Sequence, residues 1–215
     1  MTDDAANAEF GVVGDAAFLA ALADTDGLEQ VHPVGDHDPA AVVYDLDGTL
    51  VRLLVDWQRL ERELGERLEA AGLRDPGGDV WSRYDVAVEH GLREEFEALI
   101  AERERDGARE SIRLPAADVV GSEGVPVGVC SLNSERACRI ALAEQDLAAH
   151  VGAVVGRDSV ATRKPDPEPL WTVCEALDVD PAETLFVGDS ESDAECADRA
   201  GTMFRYVEGE PTRPR

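Results

Sequence analysis

Lysine is nearly absent from this chain. Of the 215 residues 20 are basic, and arginine occupies every basic position except Lys164. Acidic residues number 46, so the formal net charge at pH 7 is −26. Nucleic acids and anionic membranes carry the same sign of charge, and this composition therefore disfavours both as partners.

The acidic, lysine-poor composition is similar to that of proteins from salt-loving archaea. At about 1 M salt the Debye length falls to roughly 3 Å, which screens the repulsion among carboxylates. A GC-rich genome that favours arginine codons is the alternative explanation. A hydrophobic content of 44% argues against wholesale disorder in either case.

Cysteines and long apolar runs are also scarce. The four cysteines form no C-x-x-C pair, which indicates free thiols in a reducing compartment. No uninterrupted apolar run reaches the roughly 18 residues of a membrane span. The segment "MTDDAANAEF" lacks the positive and apolar regions of a signal peptide. We expect a soluble cytoplasmic protein, either a monomer or a small homo-oligomer.

Residues 1–39 are predicted to be an acidic N-terminal extension. They end in the turn-rich stretch "HPVGDHDP", and a short helix is plausible around Asp15–Ala23. We interpret His32 and His37 as surface residues, because nothing beside them suggests a metal site.

Short apolar runs alternate with helical spacing in residues 40–50 and 116–215. The runs "AVVYD", "VPVGVCS" and "TLFVGD" are typical of buried strands, and "AAHVGAVVG" is a weaker fourth. Helical spacing follows in "ERACRIALAEQDLAAH" and in "ESDAECADRAG", which Gly201 would end. This alternation predicts an α/β fold, a Rossmann-like parallel sheet with helices on both faces.

Residues 51–115 have no convincing strand pattern and are predicted to be an inserted helical cap domain. Apolar residues recur there at spacings of three and four, which indicates amphipathic helices. They are Trp57, Leu60, Leu64, Leu68, Leu92, Phe96 and Leu99.

Two carboxylates lie one residue apart at the end of the first predicted strand. Asp45 and Asp47 stand where open α/β sheets bind ligands, and they repel each other unless a cation or a proton is present. Asp-Gly is also a common turn signal, so a purely structural role is the alternative.

The end of the second strand predicts an anion site. Ser131 supplies a hydroxyl, and the following residues, among them Leu132, Asn133 and Ser134, open a helix whose free backbone amides suit phosphate. A simple helix cap by one of these side chains explains the stretch about as well.

Lys164 and a second pair of aspartates complete the pattern. Because arginine holds all other basic positions, a compact ammonium at Lys164 indicates a tight site rather than a solvated surface cation. Asp189 ends the third strand and Asp193 follows four residues later, although an acidic helix cap also explains Asp193. Carboxylates without histidine or cysteine favour Mg²⁺ over zinc, and such a site suits phosphoryl transfer.

Together these segments resemble the haloacid dehalogenase-like superfamily of phosphohydrolases. "DLDGTL", Ser131, Lys164 and "GDSESD" occur in the order of the family's four motifs. The resemblance covers about residues 41–207, with the helical segment in the place of a C1-type cap. Two features depart from phosphoglycolate-phosphatase-like members: Arg52 replaces an acidic or amide residue, and Leu132 separates Ser131 from Asn133.

The resemblance implies a phosphatase that hydrolyses a small phosphate monoester, possibly phosphoglycolate at the level of the family. Asp45 would be the nucleophile and Asp47 the acid and base, which distinguishes a phosphatase from a dehalogenase. The implied Mg²⁺ ligands are Asp45, Asp47 through its carbonyl, Asp189 and Asp193. The implied phosphate-binding residues are Ser131, Leu132, Asn133 and Lys164.

Three other functions remain open from the sequence. A phosphomutase would use the same aspartates, and a receiver-type signalling domain would also join an aspartyl phosphate to a hydroxyl and a lysine. A catalytically idle binding protein is the third. Substrate-selecting residues of the helical segment would come from Arg52, Trp57, Trp81, Tyr84 and His90, with the two tryptophans favoured as its core.

Overall fold

Five parallel strands form the centre of the protein. The computed structural model describes residues 38–207, so the predicted helix at Asp15–Ala23, His32 and His37 lie outside the described residues. The order across the sheet is β5-β4-β1-β6-β7, and every neighbouring pair is parallel. The strands are β1 (Ala41–Tyr44), β2 (Val51–Arg52), β3 (Ile112–Arg113), β4 (Val127–Cys130), β5 (Ala153–Val155), β6 (Thr184–Gly188) and β7 (Met203–Tyr206).

Helices cover both faces of this sheet, as the alternating pattern predicts. Their bounds are α1 (Trp57–Ala70), α2 (Val80–Glu89), α3 (Arg93–Arg109), α4 (Glu135–Glu144), α5 (Glu168–Leu177) and α6 (Glu191–Ala200). Helix α4 packs with Val42 and Tyr44 on one face, and α5 and α6 pack with Val43 on the other. The predicted α/β fold class is therefore confirmed.

The central strand is buried along its whole length. All residues of β1 are fully buried, and successive side chains point to opposite faces of the sheet. A strand covered on both faces has to be apolar throughout, which explains the run "AVVY". Since β1 lies between β4 and β6, the residue that follows it emerges in the middle of the sheet edge.

Helices α1, α2 and α3 lie between β1 and β4 in sequence and share an apolar core of their own. Leu60, Leu64 and Phe96 are fully buried in it, while Trp57 and Trp81 pack against it half-buried. The segment also contains β2 and β3, which pair antiparallel. The expectation of no strand in residues 51–115 is therefore wrong, because strands of two residues are too short to produce a pattern.

Three further elements differ from the expectation. Strand β7 and helix α5 were not predicted, although the prolines at the start of α5 are compatible with a first helical turn. Helix α4 ends at Glu144 rather than near His150, because Asp146 adopts a left-handed conformation with φ of 58° and the Leu147 N–H turns back to Leu142. None of the helices in residues 38–207 combines the length and apolar character that a membrane crossing needs.

Candidate active site

Asp45 and Lys164 meet at the carboxyl edge of the sheet. Asp45 follows the last residue of β1, and its Oδ1 accepts a hydrogen bond of 2.7 Å from Lys164 Nζ. The same ammonium donates to the Cys130 carbonyl at the end of β4 (3.0 Å) and to Asp193 at the start of α6. The Lys164 side chain is only 2% exposed. Its buried charge is therefore held by hydrogen bonds to the ends of β1 and β4 and to the start of α6.

A tight turn carries the chain from Asp45 through Asp47 and Gly48. The Gly48 N–H donates to the Val51 carbonyl (2.7 Å), and Gly48 has φ of 102°, which an L-residue adopts only with strain. The Asp47 carboxylate is buried and accepts a hydrogen bond of 2.9 Å from the Leu53 N–H. The turn therefore places Asp47 two residues after Asp45, with its carboxylate held by the backbone just after β2.

Asp193 has two structural partners besides its place in the site. Its Oδ2 accepts from the Ser190 N–H (3.1 Å) and hydroxyl, which closes a capping box at the start of α6. Its Oδ1 faces Lys164. The helix-cap interpretation of Asp193 is therefore confirmed, and the same side chain also contacts Lys164, a pairing that the sequence did not predict.

Asp45, Asp189 and Asp193 form an acidic group. A carboxylate oxygen of each lies within 4.8 Å of an oxygen of the others. Burial raises the pKa of Asp45 to about 8; Lys164 opposes this shift, while the carboxylates of Asp193 and Asp189 add to it. Burial also disfavours the charged form of Lys164, but Asp193 and Asp45 outweigh it and raise the pKa of its ammonium well above the usual value.

Ser131 and Asn133 form a compact loop after β4. The Ser131 hydroxyl accepts from the Asn133 N–H and donates to the Asn133 side-chain oxygen, each at 3.2 Å. The prediction of free amides at Asn133 and Ser134 is wrong, because the Ser134 N–H donates to Glu104 Oε2 (2.9 Å). These residues are buried, and a buried N–H needs an acceptor.

Glu104 is a residue of this site that the sequence reasoning missed. It lies on α3, is fully buried, and pairs with Arg157, which follows β5. One signal in the sequence would have found it. Glu104 lies four residues after Ile100 and eight after Phe96, on the apolar face of the helix, where an acidic residue is unexpected.

The candidates for substrate selection occupy different surroundings. Trp81 lies beside two guanidinium groups of the sheet domain, with the Arg157 and Arg163 Cζ atoms 5.1 Å and 5.2 Å from its ring centroid. Tyr84 is buried beside it, 5.4 Å from Arg163. Arg52 and His90 are exposed. Trp81 and Tyr84 therefore both contact Arg163, the residue before Lys164.

Comparison with known proteins finds phosphatases among the relatives of this chain. The chain is 30% identical over 185 residues to the phosphoglycolate phosphatase of Rhodospirillum rubrum, covering 76% of this chain and 77% of the relative. It is 32% identical over 190 residues to a phosphoglycolate phosphatase of Cereibacter sphaeroides, covering 78% and 85%.

Solved structures share the fold. CbbY from Rhodobacter sphaeroides, in complex with phosphate, matches with a TM-score of 0.54 and 22% identity over 82% of this chain and 89% of that one. A HAD phosphatase from Thermococcus onnurineus matches with a TM-score of 0.54 and 21% identity over 81% and 88%.

A family model described as haloacid dehalogenase-like hydrolase matches residues 39–201. This range contains β1, β4, β5 and β6 of the sheet and every residue of the acidic group, and β7 follows directly after it. The chain therefore belongs to the haloacid dehalogenase-like hydrolases.

Proposed function

We propose that this protein is a Mg²⁺-dependent phosphatase that hydrolyses a small phosphate monoester through an aspartyl-phosphate intermediate. The enzyme class follows from membership of the family, and the chain is a phosphoric monoester hydrolase. The observation that carries the mechanism is the buried contact of 2.7 Å between Lys164 Nζ and Asp45 Oδ1. It joins a nucleophile to a cation at the point where a phosphoryl group would react.

Asp45 and Asp47 divide the chemistry between them. An oxygen of Asp45 attacks phosphorus and the bond to the ester oxygen breaks, while the carboxylic acid of Asp47 gives its proton to the departing oxygen. The resulting Asp47 carboxylate then takes a proton from water. The water oxygen attacks phosphorus, and the bond to Asp45 breaks to release inorganic phosphate. The Leu53 N–H holds the Asp47 side chain for both steps.

The residues around Asp45 fit a magnesium ion. The acidic group offers oxygen donors from Asp45, Asp189 and Asp193, with no histidine or cysteine among them. Hard oxygen donors of this kind suit Mg²⁺. Asp45, the carbonyl of Asp47 and Asp189 would hold the ion, with Asp193 as a ligand or as support. When bound, Mg²⁺ neutralises charge on the phosphoryl oxygens.

Ser131, Leu132, Asn133 and Lys164 would bind the transferring phosphoryl group. Ser131 directly follows β4, and Lys164 Nζ donates to the carbonyl of the preceding residue, Cys130. Among residues 38–207 the Leu132 N–H donates to no protein acceptor, which leaves it available for a phosphoryl oxygen.

The helical segment 51–115 would act as a C1-type cap that selects the substrate. Phosphoglycolate is the candidate substrate, because relatives at 30% and 32% identity carry that activity in their names. The net charge of −26 and the single lysine support an origin in the cytoplasm of a salt-loving archaeon. Small anionic esters rather than macromolecules are the partners that this account requires.

Phosphate release from a panel of esters tests the proposal. The panel contains phosphoglycolate and sugar phosphates, in molar potassium chloride with and without Mg²⁺, with Asp45→Asn as the control. We expect Mg²⁺-dependent release that is lost in the variant. Folded wild-type protein that releases phosphate from none of the esters would overturn the proposal and favour the phosphomutase or receiver alternatives.

A further inference from the structure

Glu104 contacts the loop after β4 at two points. Its Oε2 accepts a hydrogen bond of 2.9 Å from the Ser134 N–H, and its Oε1 accepts one of 3.4 Å from Asn133 Nδ2. The carboxylate is fully buried. Glu104 comes from α3, the last helix of the segment 51–115, so a residue of that segment orders a loop of the sheet domain.

Arg157 balances the charge of this carboxylate. Its Nη1 lies 2.7 Å from Glu104 Oε1 and its Nη2 lies 3.2 Å from Oε2, and Nη1 also donates to the Leu132 carbonyl. A bare carboxylate behind a phosphate-binding loop would repel the substrate. With Arg157 in place, Glu104 supplies hydrogen-bond acceptors to the loop while its charge is compensated.

The contact also fixes the orientation of the Asn133 side chain. With its Nδ2 directed to Glu104, the Asn133 Oδ1 faces the Ser131 hydroxyl. Glu104, which lies outside the four motifs of the family, thus orients the side chain of Asn133 and, through it, the hydroxyl of Ser131.

We propose that Glu104 is a positioning residue that holds the Ser131–Ser134 loop in its phosphate-binding conformation. The inference rests on the proposed function, since it assigns this loop to the phosphoryl group. Glu104 does not touch the reacting atoms. It acts through Asn133 and Ser134, and Arg157 allows it to do so without repelling an anion.

The test compares Glu104→Gln with Glu97→Gln. Glu97 lies on the same helix and pairs with the same Arg157 (2.7 Å), but among the described residues it bonds no residue of the loop. The amide in Glu104→Gln keeps the shape but replaces one of the two acceptor oxygens by an NH₂ donor, so it can no longer accept from Ser134, Asn133 and Arg157 together. We expect the Kd for inorganic phosphate, measured by calorimetry with Mg²⁺ present, to rise roughly tenfold in Glu104→Gln and to stay within twofold in Glu97→Gln.

A double-variant cycle separates positioning from general destabilisation. In an Asn133→Ala background, Glu104→Gln should weaken phosphate binding by clearly less than it does in the wild type. The reason is that Asn133→Ala has already removed the contact between Glu104 and the Asn133 side chain. Full additivity would overturn the inference. If Glu104→Gln does not fold, Glu104→Asp replaces it. The charge opposite Arg157 remains in this variant, but the shorter side chain does not reach the Ser134 N–H and Asn133 Nδ2. Phosphate affinity equal to that of the wild type in Glu104→Asp would then overturn the inference.

Failure of this inference is distinguishable from failure of the proposed function. Wild-type protein that turns over no ester and binds no phosphate overturns both. An active wild type whose Glu104→Gln and Glu97→Gln variants bind phosphate equally well overturns the role of Glu104 and leaves the phosphatase assignment in place.

Discussion

Gly48 and the Asp189 carboxylate are in such close contact that a side chain at position 48 has no space. A Cβ built on Gly48 would lie 2.2 Å from an Asp189 carboxylate oxygen, closer than real Cβ atoms approach any neighbour. Glycine is therefore required here for two reasons, the left-handed backbone and the approach of a proposed metal ligand. The Asp189 carboxylate can occupy its position only because residue 48, in the turn of the first motif, has no side chain.

Gly48→Ala should damage metal binding beyond its effect on stability. The new methyl group displaces Asp189, so we expect the Mg²⁺ concentration for half-maximal activity to rise at least tenfold. The strained backbone alone costs about 1–3 kcal/mol of stability. Gly72→Ala is the matched control: Gly72 has φ of 76° and no atom within 4 Å of its added Cβ. Equal Mg²⁺ requirements in the two variants would contradict the account.

The placement of three motif residues at one edge of the sheet could be predicted from the sequence, because each of them stands at a strand end. Asp45, Ser131 and Asp189 each follow a buried run, and parallel strands bring their ends to one edge. The partner of the Ser134 amide could not be predicted in this way. The apolar face of α3 distinguishes Glu104 from the other acidic residues of that helix, but its pairing with the Ser134 N–H depends on how α3 packs on α4.

Lys164→Arg should abolish most activity although the charge is kept. The ammonium fits between Asp45, Asp193 and the Cys130 carbonyl, and a planar guanidinium is too broad for the same space. We expect kcat/KM to fall by about 100-fold or more, the size of the effect of removing one donor from an anion site. Arg139→Lys, an exposed change on α4, should stay within twofold. A fall of less than tenfold in a folded Lys164→Arg protein would exclude the proposed role.

Mg²⁺ affinity should depend on pH through Asp45. Its pKa is raised to about 8, so below this pH a proton must leave before the carboxylate binds the ion. As the pH rises from about 6 to about 8, the Kd for Mg²⁺ should therefore fall by up to about tenfold for each pH unit. Above about pH 8 the Kd should no longer change with pH. Calorimetric titration at several pH values measures this, with Asp45→Asn as the variant that should lose the dependence. A Kd for Mg²⁺ that does not change with pH in the wild type would contradict the raised pKa of Asp45.

The elements missed in the fold have physical causes of their own. Strand β7, "MFRY", lies at the edge of the sheet, and Arg205 interrupts its apolar residues, so it lacks a continuous apolar run. Helix α5 begins within a group of prolines, which the sequence pattern treats as helix breakers. Strands β2 and β3 are defined only by their pairing with each other, across about 60 residues of intervening sequence.

Stability should increase with potassium chloride. Repulsion among the excess carboxylates is screened at high salt, so we expect Tm to rise by several degrees between about 0.1 M and 2 M KCl. A variant with Glu66→Gln and Glu69→Gln, both exposed on α1, should gain Tm at low salt and lose part of the salt response. A Tm that does not change with salt would count against a halophilic origin.

The most direct test of the central claim is to locate the covalent intermediate. Because Asp47 is assigned both protonation of the leaving oxygen and water activation, Asp47→Asn protein is mixed with Mg²⁺ and an aryl phosphate whose leaving group needs no proton. The mixture is quenched in acid, digested and analysed by mass spectrometry. We expect one phosphoryl group on Asp45, and none when the Asp45→Asn change is combined with Asp47→Asn. Ester hydrolysis by the wild type with no phosphoryl group ever found on Asp45 would contradict the mechanism.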